Sequence, residues 1–222
     1  MINFLENLDK KLQEYGLFIR GICPAIETDS VPSSIRSIIL VGNTGEALWS
    51  VFQDIKKSPS NPLDTWTRET LIPLSEQFSL PVIFPFDQKP TYPFQTWAKR
   101  TEPLHTSPLG ILLHEKYGLW HAYRGAFLST EVLPYTHDGV QVISACDSCT
   151  DKPCLQSCPT DALAQGRYEF ERCAAFLKKD IENNSCLLQG CHARLACPIG
   201  EAYRYPTALR RFHMQKFAYF ND

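Results

Sequence analysis

Eight of the nine cysteines in this 222-residue sequence lie between positions 146 and 197, and only Cys23 stands elsewhere. The first group reads Cys146-Asp-Ser-Cys149-Thr-Asp-Lys-Pro-Cys154-Leu-Gln-Ser-Cys158-Pro159, with gaps of two, four and three residues between thiols. The second group is Cys173, Cys186, Cys191 and Cys197, again with a proline, Pro198, directly after the last thiol. In a reducing compartment, an even and clustered set of thiols points to metal or cluster binding rather than to a disulfide framework. Eight thiols make two sets of four, which suits two [4Fe-4S] clusters or two structural zinc sites with nothing left over.

Three near thiols and a fourth before proline follow the layout of a bacterial ferredoxin run. There the first three grip one cube and the fourth turns away to a second. Here two extra residues precede Cys154. Crossing of the terminal ligands assigns Cys146, Cys149, Cys154 and Cys197 to one cluster and Cys158, Cys173, Cys186 and Cys191 to the other. Ala162 and Leu163 after the first run, and Ile199 after the second, are the expected apolar cover, which with backbone amides sets the reduction potential. The zinc reading normally uses paired C-x2-C hooks, and this chain has one, Cys146 with Cys149. Single-electron transfer is the function that two such clusters imply.

The elements that must position these residues form an α+β arrangement. Phe4, Leu5, Leu8, Leu12 and Tyr15 recur at helical spacing, and residues 17–23, 37–43 and 80–86 are branched, apolar strand candidates. Gly42-Asn43-Thr44-Gly45 is either a phosphate-holding loop or a plain turn before a helix at 46–56. Asn61-Pro62 predicts a helix over 62–77 with Asp64 in its first turn, and another short helix is expected at 93–102. Residues 109–115 and 119–128 read as a β-hairpin turned through Lys116-Tyr117-Gly118. The expected organisation is an α+β domain over 1–144 followed by a cysteine domain over 145–222.

Composition is ordinary for a globular chain, with 44% hydrophobic and 21% charged residues. No apolar run approaches the ~20 residues of a bilayer span. The opening MINFLENLDKK lacks the basic-then-apolar order of a secretory signal, so a cytoplasmic protein is expected. The formal net charge of -2 provides no global field for nucleic acid or anionic membrane. Tyr203 to Phe217 interleave basic and aromatic residues, suited either to RNA or to a helix docked back on the protein.

From about Thr106 to Pro198 the order of features resembles epoxyqueuosine reductase, an iron-sulfur and cobalamin enzyme. The matching parts are Leu109-Gly110-Ile111-Leu112-Leu113-His114, Lys116-Tyr117-Gly118-Leu119-Trp120, the 146–158 run and Arg172-Cys173. The stretch from Leu113 to Arg124-Gly125 is also similar to the cobalamin-processing decyanase family, which has an arginine-glycine pair near its corrin pocket. The resemblance implies a nitroreductase-like N-terminal domain that binds a corrinoid, followed by a small bis-[4Fe-4S] ferredoxin-like domain. FMN is the alternative occupant. It further implies Asp64 as an acidic proton donor and Arg124 beside a corrin pocket; His114, His121 and Trp120, read by their own chemistry, are further cofactor-binding candidates. On bland readings Asp64 is a helix-start carboxylate, Arg124 a salt-bridge partner, the histidines structural and Trp120 core. The last three thiols are spaced C-x4-C-x5-C-P where the reductases have C-x2-C-x3-C-P, which weakens the case for a tRNA substrate. The implied partners are an electron donor such as a ferredoxin, flavodoxin or their reductase, and a small-molecule substrate or corrinoid. The alternative function is a ferredoxin-type carrier serving a separate enzyme, with no further cofactor.

Overall fold

The computed structural model describes residues 2–55, 61–136, 144–163, 167–179 and 181–218. The chain divides into two compact units, Met1–Pro103 with His121–Gln141, and Leu104–Trp120 with Val142–Asp222. This differs from a single boundary at 144, because a segment from the middle of the chain joins the cysteine-bearing unit.

The first unit is built on a four-stranded antiparallel sheet in the order β1 (Phe18–Pro24), β2 (Ser37–Thr44), β6 (His121–Ser129), β3 (Val82–Ile83). Strand β2 is buried from Ser37 to Asn43, as a central strand covered on both faces must be. Helices α1 (Ile2–Gln13), α2 (Ala47–Phe52), α3 (Pro62–Phe78) and α4 (Phe94–Thr101) pack against this sheet or its flanks. Leu8 and Leu12 of α1 are fully buried, so the apolar spacing read from the sequence is the docking face. Pro62 opens α3 at its first position, where a missing N–H costs nothing, and Asp64 falls in the first turn as expected. Asp29 anchors α4 from beneath: it is 1% exposed and accepts from Trp97 Nε1 at 2.8 Å and from Arg100 Nη2 at 2.8 Å.

Two irregularities of the sheet matter. Ile19 and Gly21 of β1 pair with Val41 and Leu40, which leaves Arg20 as the extra residue of a bulge. Gly125 and Tyr123 of β6 pair with Val41 and Gly42, which leaves Arg124 in the same position on the other side of β2. A bulge bends its strand and re-aims the side chain of the extra residue, and here both extra residues are arginines. A regular strand would alternate faces from Trp120 to Gly125; the bulge breaks that alternation at Arg124, and Trp120 precedes the strand altogether.

The expected hairpin does not form. Strand β5 (Leu112–His114) pairs with β4 (Leu104–Thr106) in a separate two-stranded sheet of the second unit, while β6 pairs with β2 and β3. The Lys116-Tyr117-Gly118 turn is present, closed by a single His114–Gly118 bridge, with Gly118 at φ +57. Trp120 N–H then donates to the Tyr117 carbonyl and curls the chain away before a second rung can form. The Gly42-Asn43-Thr44-Gly45 segment is strand through Thr44 and then a plain turn at Gly45, φ +56. It is not a phosphate loop. The candidate strand at 80–86 is reduced to Val82–Ile83.

The second unit carries short helices between its thiols: α5 (Ala145–Ser148), α6 (Pro153–Gln156), α7 (Phe170–Lys178), α8 (Ser185–Gln189) and α9 (His192–Leu195), closed by α10 (Thr207–Ala218). Helix α10 docks on α7 and α8, with Leu209 and Ala218 buried, so the basic and aromatic tail is a packed helix. Gly118 and Gly200 (φ +73) bring two turns into backbone contact. A Cβ on Gly118 would lie 1.9 Å from the Ile199 carbonyl oxygen, and one on Gly200 2.3 Å from the Tyr117 carbonyl. This contact is the physical reason that residues 104–120 belong with the cysteines.

Candidate functional site

Four thiols, those of Cys146, Cys149, Cys154 and Cys197, line a small solvent-open hollow of about 50 Å³. Lys152 and the apolar Pro108, Leu113, Pro153, Pro198 and Ile199 are among the other residues of its wall. Charge interactions among the eight thiols run within two groups. Cys146 interacts with Cys197 and Cys149, and Cys154 with Cys197, Cys146 and Cys149. Cys173 interacts with Cys191 and Cys158, and Cys186 with Cys191, Cys173 and Cys158. Among the described residues, no three His, Cys, Asp or Glu side chains converge closely enough to share one metal ion.

Local structure explains how each thiol is presented. Lys152, held in the left-handed region at φ 38, donates from Nζ to the Cys146 carbonyl at 2.6 Å and ties the C-x2-C hook to the start of α6. Asn184 caps α8: its Oδ1 accepts from the amides of Cys186 at 3.1 Å and Leu187 at 3.2 Å, and its Nδ2 donates to the Phe176 carbonyl at 2.8 Å. Ala162 and Leu163 are buried beside Cys158, and Leu113, Leu119 and Ile199 pack with Cys197.

Burial pushes six of these thiols above the ordinary cysteine range, and takes Cys186 to about 11. Neighbouring thiols of the same group add to the rise, while backbone amides at Leu155, His192, Ala193, Arg194 and Ile199 oppose it. Cys158 is the exception. Burial raises it too, yet the Thr160 hydroxyl and the amides of Thr160, Ala162 and Leu163 together hold it below the usual value. Such a set of buried thiols is stable as thiolates only beside a compensating cation. Cys23 sits in the first unit at 1% exposure, with its thiol pushed up to about 11 by burial, and is a small core hydrophobe.

The first unit holds its own polar cluster at the bulged end of the sheet. Arg124 Nε donates to Asn43 Oδ1 at 3.1 Å, and the fully buried Asn43 has an Nδ2 that, among the described residues, meets no hydrogen-bond partner. Asp64 lies within reach of the charges of Arg124 and Arg68. Burial nevertheless wins and raises its pKa above the ordinary carboxylate value. Beside them, Arg20 Nη2 pairs with Glu102 Oε1 at 2.9 Å, its guanidinium lies 4.9 Å from the Tyr123 ring centre, and Tyr123 donates its hydroxyl to Glu102 Oε2. Burial raises the Glu102 carboxyl against the pull of Arg20, and drives the Tyr123 hydroxyl well above the ordinary tyrosine range. His121 Nδ1 stands 3.4 Å from Arg20 Nη2.

The residues singled out in the sequence are thus divided. Asp64, His121 and Arg124 lie in the first unit; His114, Trp120 and the eight clustered cysteines lie in the second. His114 is buried, and its Nδ1 accepts from the amides of Lys116 at 3.0 Å and Tyr117 at 3.3 Å, which locks the turn. Trp120 is 1% exposed, with the Arg194 guanidinium 4.5 Å from its ring centre. Sequence reasoning missed Asn43, Arg20, Glu102 and Asn184. Only Asn184 left a local signal, an asparagine before Ser-Cys-Leu-Leu in the helix-capping position.

Neither a protein-family model nor a curated protein matches the sequence. Among solved structures, selenomethionine-labelled epoxyqueuosine reductase superimposes with a TM-score of 0.57 at 15% identity, covering 95% of this chain and 69% of its own. Epoxyqueuosine reductase with a tRNA-Tyr epoxyqueuosine-modified tRNA stem loop gives 0.56 at 16% identity, covering 93% and 68%. The B12-trafficking protein CblC of C. elegans gives 0.54 at 13% identity, covering 100% of this chain and 98% of its own. The chain has the fold shared by epoxyqueuosine reductase and CblC, the resemblance that its residues carried from the start. No described helix is long and apolar enough to cross a membrane.

Proposed function

We propose that this chain is an iron-sulfur redox protein in which the second unit delivers single electrons to a corrinoid-dependent reduction served by the first. The observation that carries this reading is the sorting of the thiols. Charge interactions among the thiols run within the two crossed sets that the ferredoxin pattern would require, each with one member from the other sequence group, and this supports the reading. Cys146, Cys149, Cys154 and Cys197 would hold one [4Fe-4S] cluster, and Cys158, Cys173, Cys186 and Cys191 the other. When bound, such clusters take up and pass on one electron at a time.

The protein's own residues do the rest. Apolar walls at Leu113, Pro198 and Ile199 limit water at the first quartet, and backbone amides meet the thiolate sulfurs of the second. In the first unit, the unpartnered Asn43 amide and the re-aimed Arg124 are donors suited to the peripheral amides or phosphate of a corrinoid. Asp64, kept protonated to a higher pH than a free carboxyl by burial, suits the delivery of a proton there. The electron must come from a low-potential donor of the ferredoxin or flavodoxin class. Titrating oxygen-free, iron-loaded protein with cobalamin and separately with FMN tests the reading. A saturable shift of the corrin bands is the expected result. No shift with cobalamin would overturn the corrinoid assignment; a shift with FMN alone would replace the corrinoid by flavin.

A further inference from the structure

The two thiol quartets differ in the donors that reach their sulfurs. In the second, the Thr160 hydroxyl lies 3.5 Å from Cys158 Sγ, and the amides of Thr160, Ala162 and Leu163 point at the same sulfur. The Tyr168 hydroxyl hydrogen-bonds Cys173. That hydroxyl is held in place rather than incidental. Glu169 N–H donates to the Ala162 carbonyl at 2.7 Å and pins the segment to the Cys158 loop. The Tyr168 ring packs against Phe170 and Phe217, which are themselves edge to face at 4.9 Å. In the first quartet one hydroxyl, that of Ser144, reaches the Cys146 sulfur and the amides of Leu155 and Ile199 meet Cys154 and Cys197, while the nearby cation, Lys152, directs its Nζ to the Cys146 carbonyl.

Hydrogen bonds to a cluster's sulfurs favour the reduced state, which carries one more negative charge, and so raise the potential. Resting on the cluster reading above, we infer that Tyr168 and Thr160 are tuning residues that make the Cys158/Cys173/Cys186/Cys191 cluster the more easily reduced of the pair. The two clusters then form an ordered couple instead of two equivalent stores. An electron supplied from outside resides preferentially on the cluster bonded by the two hydroxyls. Neither residue ligates iron; each acts through the thiolate that it bonds.

The test is an EPR-monitored reductive titration of the purified protein and its Tyr168→Phe, Thr160→Val and Lys152→Gln variants, with iron and acid-labile sulfide counted in each. The wild type should show two midpoints. Tyr168→Phe, which removes one oxygen and keeps the ring, should make reduction at the higher midpoint about tenfold less favourable, a fall of ~59 mV for one electron. Thr160→Val should move the same midpoint in the same direction, and Lys152→Gln the other one. Full iron content with both midpoints unmoved in Tyr168→Phe and Thr160→Val, or with the lower midpoint moved, would overturn the inference while leaving the cluster reading intact. Absence of iron and sulfide from the wild type would overturn the cluster reading itself.

Discussion

Arg124 Nε donates to Asn43 Oδ1 at 3.1 Å, and among the described residues the buried Asn43 Nδ2 has no partner. An arginine on a bulge thus fixes which way the amide faces, and the amide keeps one donor in hand. A buried donor left unsatisfied costs about 1–3 kcal/mol, so a fold that retains one has a use for it. If that use is a cofactor amide or phosphate, Asn43→Ala should weaken cobalamin binding about tenfold, the equivalent of ~1.4 kcal/mol, in an absorption titration. Unchanged affinity in a variant with wild-type circular dichroism would contradict the assignment.

The Arg20–Glu102 pair is a stability element rather than a reactive one. The Arg20 side chain is fully buried, and Glu102 is the carboxylate for both its guanidinium and the Tyr123 hydroxyl. Glu102→Ala leaves a buried charge uncompensated and should cost about 3–5 kcal/mol in urea unfolding. A loss under about 1 kcal/mol would mean that water or another acceptor replaces the carboxylate.

Asp64 gives a pH dependence whose sign is set by burial. Its folded-state pKa is raised above 3.8. The carboxyl therefore contributes its stability below the unfolded value and loses it as pH rises through the folded value. Asp64→Asn should be more heat-stable than the wild type near neutral pH, and the gap should close as pH falls below about 4. A gap that widens on acidification would show that Arg124 and Arg68 outweigh burial.

Gly118 tests the joint between the turn at 116–118 and the last thiol. At φ +57, with a Cβ only 1.9 Å from the Ile199 carbonyl oxygen, alanine cannot be accommodated without moving the Cys197-Pro198-Ile199 segment. Gly118→Ala should lower the iron content of the protein by about half, one cluster of two. Retention of full iron content would show that Cys197 is positioned independently of the turn.

Much of this was legible because it is local. The helical face of Leu8 and Leu12 and Pro62 at the start of α3 are short-range patterns, and each appears where its spacing puts it. What escaped was decided by strand pairing. Residues 112–114 and 121–129 are both good strands, but nothing local tells that they belong to different sheets; a single glycine turn and the backbone contact of Gly118 with Ile199 decide it. Bulges at Arg20 and Arg124 are likewise invisible without the register of β2. Asn43 read as part of a turn because Gly-Asn-Thr-Gly is turn chemistry, yet Gly42 serves close packing against the Ala122 carbonyl and leaves Asn43 in the strand.

The crossed quartets stand or fall on metal chemistry. Iron and acid-labile sulfide should be counted per chain in protein purified without oxygen, with zinc measured on the same sample. About eight iron and eight sulfide per chain, with negligible zinc, is the expected result. Two zinc ions and no sulfide would contradict it and make the cysteine unit a structural scaffold.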